Sequence, residues 1–486
     1  LPQDETATEK TPAAPVPVTP ASTPEAEPSA HEDNGAASQT IAPASPSGFV
    51  QVGDVFIKNN STKALEPGWF DGTFAAKLSE DAPQVLIVHT HGSEAYTMPK
   101  GQAYVPTGTC RTADTSVNMI RVGDEIAAAE KQLPARLKSA IRTALRQVRD
   151  FAKLTIPKGW TASPRPGVTL GEKFEPLDRV GVYIPGGTAP LVSTVIHTAG
   201  IASAAGVKEI VAVTPARKDG SVHPAVLYAM KLAGVTEIYR LGGVYGVAAL
   251  ACGTQSVRKV EKIVGPGNAY VTAAKRLLYG EVAIDMVAGP SEILVIADET
   301  ADPAFIAADL LSQAEHGSGL EQAVLVTVSE PLLEQVEAEF LRQKASLPRL
   351  ATVDRVMEHG LFLILAPDLE RAAEIAGRYA PEHLEIQTAR PERLAKRITA
   401  AGAIFLGPWT PEPVGDFCAG PSHVLPTASS ARYFNGLETP GFFRRSSIVR
   451  YSESALRREV SVIEAFAEME GLAAHGRSGT IRVRRF

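Results

Sequence analysis

Residues 179–187 read RVGVYIPGG, a short run rich in β-branched residues closed by Pro-Gly-Gly. The figure returns as EIVAVTP (209–215), EIYRLGG (237–243) and KIVGPGN (262–268), and the longer segments that follow the four runs end at Gly206, Gly234, Gly253 and Gly280. Short apolar runs bounded by turn residues predict strands, and longer segments with helical spacing predict helices. Parallel strands need a crossover of a dozen or more residues between them, which these segments supply. The expected fold is α/β, with a doubly wound, Rossmann-like domain over residues 180–292.

Working outward, the alternation resumes after AIDMVAGPSEILVIADE (283–299). A helix through LLSQAEHG is followed by the strand QAVLVTVS, a helix over Pro331 to Lys344, the strand FLILAPD, a helix to Tyr379, the strand LEIQT, a helix to Gly402 and the strand AIFLG. This predicts a second α/β unit over 293–440, to which residues 133–179 are assigned as well. Within 134–152, PARLKSAIRTALRQVRDFA places Leu137, Ile141, Leu145, Val148 and Ala152 on one stripe beside a basic face, which predicts a helix. Residues 408–450 are rich in Gly, Pro and Ser and are expected to be loop. The last segment, 441–486, contains SESALRREVSVIEAFAEMEGLAAHG, read as one C-terminal helix.

The opposite end is different in kind. Residues 1–48 are dominated by Pro, Ala, Thr, Ser and Glu and bury too little apolar surface to offset their ordering entropy, so they read as a disordered tail. From 49 to 132 the composition turns globular, and QVLIVHTHGSEAY (84–96) is its clearest strand. His89 and His91, two apart, would share one face of that strand and could hold a metal.

The 486 residues suffice for two or three domains, and a formal net charge of −6 gives no basic surface for nucleic acid. No run of about 18 apolar residues predicts a membrane span. Cys110, Cys252 and Cys418 are far apart and form no CxxC pair, which points to buried thiols in a reducing compartment. The chain begins at Leu1 without methionine, which leaves room for a segment upstream.

Four clusters could carry chemistry. Gln313 and His316 in LLSQAEHG lie three apart on one helical face. Glu382 and His383 in APEHLEI are adjacent just before a strand, where an acid/base pair can face a cleft. WTPEPVGDFCAGPSHVLPT offers Asp416 and His423, and EGLAAHG offers Glu470 and His475. Zinc takes such nitrogen and oxygen donors, although each cluster alone serves packing as readily. KIVGPGNAYVTAAKR reads as strand, Gly-Pro-Gly turn and helix start, where backbone amides can receive phosphate and Asn268 can bond a nucleotide. A tight turn needing glycine explains the same residues.

Together, VGVYIPGGTAPLVSTV, KIVGPGNAYVTAAKR, IDMVAGPSEILVIADE, DLLSQAEHG, APEHLEI, GDFCAGPSHVLPT and EGLAAHG resemble the histidinol dehydrogenase family in order and spacing from about residue 122 to the C-terminus. The resemblance implies paired Rossmann-like domains related to aldehyde dehydrogenases, in a cytoplasmic homodimer whose C-terminal segment reaches the partner's site. It also implies oxidation of L-histidinol through L-histidinal to L-histidine with two NAD+, the last steps of histidine biosynthesis. Gln313, His316, Asp416 and His475 become ligands of Zn2+, and Glu382 and His383 the acid/base pair. Ser291, Gln313, His316, His383, Asp416, Glu470 and His475 meet the substrate, while Tyr183, Tyr245 and Asn268 line the NAD site. Tyr245 stands where the family usually has glutamine, and Ser422 where it usually has asparagine. The family's N-terminal stretch resembling VRxxGDxAL is replaced.

The replacement, VLIVHTHGSEAY followed by CRTADTSVNMIRVGDEIA, resembles the stage II sporulation protein P family of cell-wall hydrolases over about residues 83–130. By itself that segment implies an extracytoplasmic zinc amidase using His89 and Glu94. After His91 the next histidine is His197, so the amidase set is short of a ligand. A fusion without activity is the other alternative. The patch RVGDEIAAAE suits both families.

Overall fold

The computed structural model describes residues 49–52, 55–58, 126, 128–186, 190–254 and 256–484. Contacts divide the chain into two units, Leu1–Asp71 and Gly72–Phe486. In the first, β1 (Phe49–Val52) pairs antiparallel with β2 (Val55–Lys58). The expected tail at 1–48 and the expected strand at 84–96 lie outside the described residues, as do His89 and Glu94.

Within the second unit, RVGVY forms β5 (Arg179–Tyr183), the middle of a parallel sheet. Around it stand β6 (Glu209–Val213), β7 (Glu237–Tyr239), β8 (Lys262–Val264) and β9 (Ala283–Ile284), in the order β7-β6-β5-β8-β9. Helices cover both faces, so the central strand is buried throughout and its sequence is nearly continuous apolar. The one charge on β5, Arg179, sits at its amino end, where it bonds Glu209 (2.6 Å) and Glu237 (2.7 Å) at the starts of β6 and β7. The chain leaves β5 toward β6 on one side and returns to β8 on the other, which opens a crevice at the carboxyl edge.

A second parallel sheet repeats that order. It comprises β10 (Glu292–Ala297), β11 (Gln322–Thr327), β12 (Leu361–Leu365), β13 (His383–Gln387) and β14 (Ala403–Leu406), arranged β12-β11-β10-β13-β14. Its crossovers start on side-chain caps: Asp302, Ser329 and Asp368 accept the amides of Ala304, Leu332 and Arg371. An additional helix, Leu350–His359, follows the expected one, which runs Glu330–Lys344. The expected helix to Gly402 is one short turn, Pro391–Ala395.

Packing reassigns the helix Ala135–Leu154. Ile141, Leu145, Val148 and Ala152 are buried in the core of the first sheet, against the helix Val192–Ala205, rather than with residues 293–440. Its stripe packs on the next helix of the chain, which three strands separate from it and which is buried over most of its length.

A third, antiparallel sheet consists of β3 (Trp160–Arg165), β4 (Val168–Pro176) and β15 (Phe443–Tyr451), ordered β15-β4-β3. The stretch 408–450 is therefore not all loop, because Phe443–Tyr451 finds nine backbone partners on β4. The C-terminal helix is also two helices, Glu453–Met469 and Ala473–Thr480, broken at Gly471 with φ +67°. Among the described residues, no helix is long and apolar enough to cross a membrane.

Candidate active site

The carboxyl edge of the first sheet carries three of the expected residues. Tyr183 ends β5, nearly buried, and its hydroxyl accepts the Gly243 amide at 3.0 Å. Tyr245 lies one turn into the helix Gly243–Cys252 and is 69% exposed, free to meet a ligand from solvent. Asn268 caps the helix Ala269–Leu278 by accepting the Val271 amide at 3.1 Å. The turn before it requires glycine: Gly265 has φ +115°, and a Cβ there would meet the Tyr183 carbonyl. That turn is fastened from beneath, since the Gly265 amide donates to Asp285 and its carbonyl accepts Lys275, which is ion-paired to Asp285. On the β6 side of the same edge, a cavity of about 520 Å3 is lined by Pro185, Gly186, Thr214, Pro215, Arg217 and His223.

At the second sheet, the candidate side chains gather at the amino edge. Gln313 and His316 close the helix Pro303–Ala314, which runs back over the sheet, and Glu382 and His383 open β13. His383 Nδ1 lies 3.1 Å from the Glu292 carbonyl and 3.2 Å from Gln313 Oε1. A proton on Nδ1 satisfies both acceptors and leaves Nε2 with a lone pair, 3.8 Å from Glu412 Oε1. Burial pulls the His383 pKa down to about 3, so the ring is neutral. Glu382 Oε2 accepts the Glu292 amide at 3.0 Å, and the Ser291 hydroxyl bonds the same carboxyl. Burial pushes Glu382 well above the usual carboxylate range, with the charges of Asp416 and Glu292 adding to it.

Opposite these stands the helix Glu412–Phe417. His316 Nδ1 faces the Ser312 and Gln313 carbonyls at 3.2 Å, and its Nε2 is 3.9 Å from Asp416 Oδ2. Asp416 Oδ1 is 3.7 Å from His423 Nδ1. His423 is largely buried and stacks on His197 with centroids 4.5 Å apart, and Ser422 Oγ donates to the His197 carbonyl at 3.2 Å. His197 belongs to the helix that follows β5, so this stack joins the carboxyl edge of one sheet to the amino edge of the other. Donor atoms of His383, Glu412 and Asp416 all lie within 4.8 Å of one another. Burial raises Asp416 to about 6 and, with the Asp416 charge, Glu412 to about 8.

The sequence profile described as histidinol dehydrogenase matches residues 103–483. The histidinol dehydrogenase of Heliobacterium mobile is 46% identical over 412 residues, 84% of this chain and 94% of the relative. This chain belongs to the histidinol dehydrogenase family. The Bacillus subtilis histidinol dehydrogenase is 47% identical over 74% of this chain and 84% of its own length. The crystal structure of histidinol dehydrogenase from Elizabethkingia anophelis superposes with a TM-score of 0.72 at 38% identity, covering 74% of this chain and 83% of that one. A second profile, stage II sporulation protein P, matches residues 7–134. The two matches overlap over 103–134, which contains the patch RVGDEIAAAE, and the second reaches back through the stretch read as a tail.

Of the residues that the resemblance assigns, Gln313, His316, Asp416, Glu382, His383 and Ser291 come together. Glu470 and His475 do not join them: both are exposed on the C-terminal helices, and neither side chain has a bonded partner among the described residues. Sequence reading left Glu412, Glu292, Glu385 and His197 without a role. Glu412 had a signal, since it lies four residues before Asp416 and hence on the same helical face. Glu385 had one too, because two residues after His383 on a strand is the same face. His197 had none, since its stacking partner lies more than two hundred residues away.

Proposed function

We propose that this chain is a zinc- and NAD-dependent histidinol dehydrogenase that oxidises L-histidinol through L-histidinal to L-histidine with two NAD+ and one water, in cytoplasmic histidine biosynthesis. The observation that carries the reading is the convergence of Gln313, His316 and Asp416 on the buried pair formed by His383 and the Glu382 carboxyl.

The donor set suits zinc: imidazole nitrogens and carboxylate or amide oxygens, with the buried Glu412 Oε1 and His423 Nε2 making no hydrogen bond among the described residues. Gln313, His316 and Asp416 would hold the ion, with His475 as the fourth ligand. When bound, zinc supplies an electrophilic anchor that orients the imidazole and amine of the substrate. His475 and Glu470 are exposed on a segment separate from the cluster, which suits a homodimer in which each copy completes the other's site.

The chain's own residues account for the proton movements. His383 Nε2 accepts the hydroxyl proton of L-histidinol as the carbinol hydride leaves to NAD+, giving L-histidinal. Glu382 takes a proton from the water that adds to the aldehyde, and its burial makes the ionised form a stronger base than an exposed carboxylate. A second hydride then leaves to a second NAD+, giving the acid. Tyr183, Tyr245 and Asn268 would hold the dinucleotide at the carboxyl edge of the first sheet, where the Gly265 turn brings backbone close.

Chelation of the purified protein should abolish histidinol-dependent NADH formation, and zinc should restore it. Activity that survives complete metal removal, verified by metal analysis, would refute the zinc assignment.

A further inference from the structure

β13 places His383, Glu385 and Gln387 on one face, and all three are buried. The residues beside Glu385 on the flanking strands are Val295 and Phe405, so its carboxylate sits in a row otherwise apolar. A buried acid is costly unless its oxygens are used. Both are used. Glu385 Oε1 accepts the Glu412 amide at 2.8 Å, and Oε2 accepts Gln387 Nε2 at 2.9 Å. Gln387 Nε2 also reaches Asp309 Oδ2, at 3.1 Å, on the helix that ends in Gln313 and His316.

The helix Glu412–Phe417 has only six residues, too short to be stable alone, and its N-cap Pro411 offers no side-chain bond. The Glu385 carboxylate is the acceptor at its first turn, and Asp416 lies one turn further along. We propose that Glu385 is a positioning residue, whose bond to the Glu412 amide sets Asp416 against His383 on the same strand and against Gln313 and His316 through Gln387 and Asp309. The proposal rests on the zinc reading above for its effect on metal, while the placement of the helix is independent of it.

The test uses the full chain with Glu385→Leu, which fills the space without an acceptor, and Glu385→Gln, which keeps an acceptor oxygen. Zinc affinity is measured by competition with a chromophoric chelator, alongside kcat, KM for NAD and amide hydrogen exchange over residues 412–417 of metal-free protein. Glu385→Leu should weaken zinc about tenfold or more, lower kcat, leave KM for NAD unchanged and speed exchange over 412–417. Glu385→Gln should recover most of each loss. If Glu385→Leu does not fold, Gln387→Met carries the same readouts in the same direction with a smaller change. A parent chain that binds no zinc would sink the metal reading and leave the exchange comparison to decide on Glu385. Unchanged exchange over 412–417 in a folded variant lacking the acceptor, or a rise in KM for NAD as large as the loss of zinc affinity, would overturn the proposal.

Discussion

The two parallel sheets share one strand order and differ in what their strands bury. In the first, β5 is apolar beyond its opening arginine, and that charge is spent on stapling the amino edge. In the second, β13 buries a histidine, a glutamate and a glutamine on one face, and the polar cluster lies at the amino edge. Open α/β sheets usually receive ligands at the carboxyl ends of their strands, and the first sheet has its cavity at that edge. The second departs from it, because a helix running back over the sheet delivers Gln313 and His316 to the opposite edge. One architecture thus presents two unlike edges: tight glycine-bearing backbone turns at one, and buried titratable side chains at the other. The stack of His197 on His423 is where they meet.

The sharpest way to break this division is at His383. Its replacement by alanine should lower kcat for histidinol by about 10²–10⁴-fold, with KM for NAD unchanged in steady-state kinetics. A rise in KM for NAD with little loss of kcat would mean that the two edges are not functionally separate.

A pH series probes the junction. Burial pulls His197 down to about 4, whereas in the unfolded chain it titrates near 6.5. As pH falls through 6.5 the unfolded chain gains a proton that the folded chain refuses, so stability drops until pH nears 4. Against His197→Phe, which keeps a ring for the stack, the parent should lose about 1.4 kcal/mol per pH unit in that window. Denaturant titrations at several pH values would show it, and parallel pH profiles would contradict it.

At the first sheet, Asn268→Ala removes the cap on Ala269–Leu278 and should cost about 1 kcal/mol of stability. It should also raise KM for NAD, while zinc affinity stays at the parent value. A loss of zinc affinity in a folded Asn268→Ala protein would contradict the separation. The smallest effect is expected furthest from either edge. Removing residues 1–120, or replacing His89 with alanine, should leave zinc-dependent dehydrogenation unchanged. A loss in that assay would mean that the sporulation-protein-like segment has been drawn into the enzyme.

Much of this was readable because it is local. Alternation of β-branched runs with longer helical segments sets both sheets, and glycine closes three helices of the first. What was hidden depends on partners distant in sequence. Phe443–Tyr451 looked like loop because its strand partner lies about 270 residues earlier, and Ala135–Leu154 has a clear stripe with nothing local to say which sheet it covers. The break at Gly471 was local, but helical spacing on both sides concealed it. Of the residues that cluster here, motif resemblance had named Ser291, Gln313, His316, Glu382, His383 and Asp416. Glu412, Glu385 and His197 emerged only once the fold brought a six-residue helix and a buried ring against them.

The most direct test is product stoichiometry from the purified, zinc-loaded full chain given L-histidinol and excess NAD+. Two NADH for each L-histidine formed, with non-imidazole alcohols oxidised more slowly, is the result expected. A folded, zinc-loaded chain that forms no histidinol-dependent NADH would contradict the assignment.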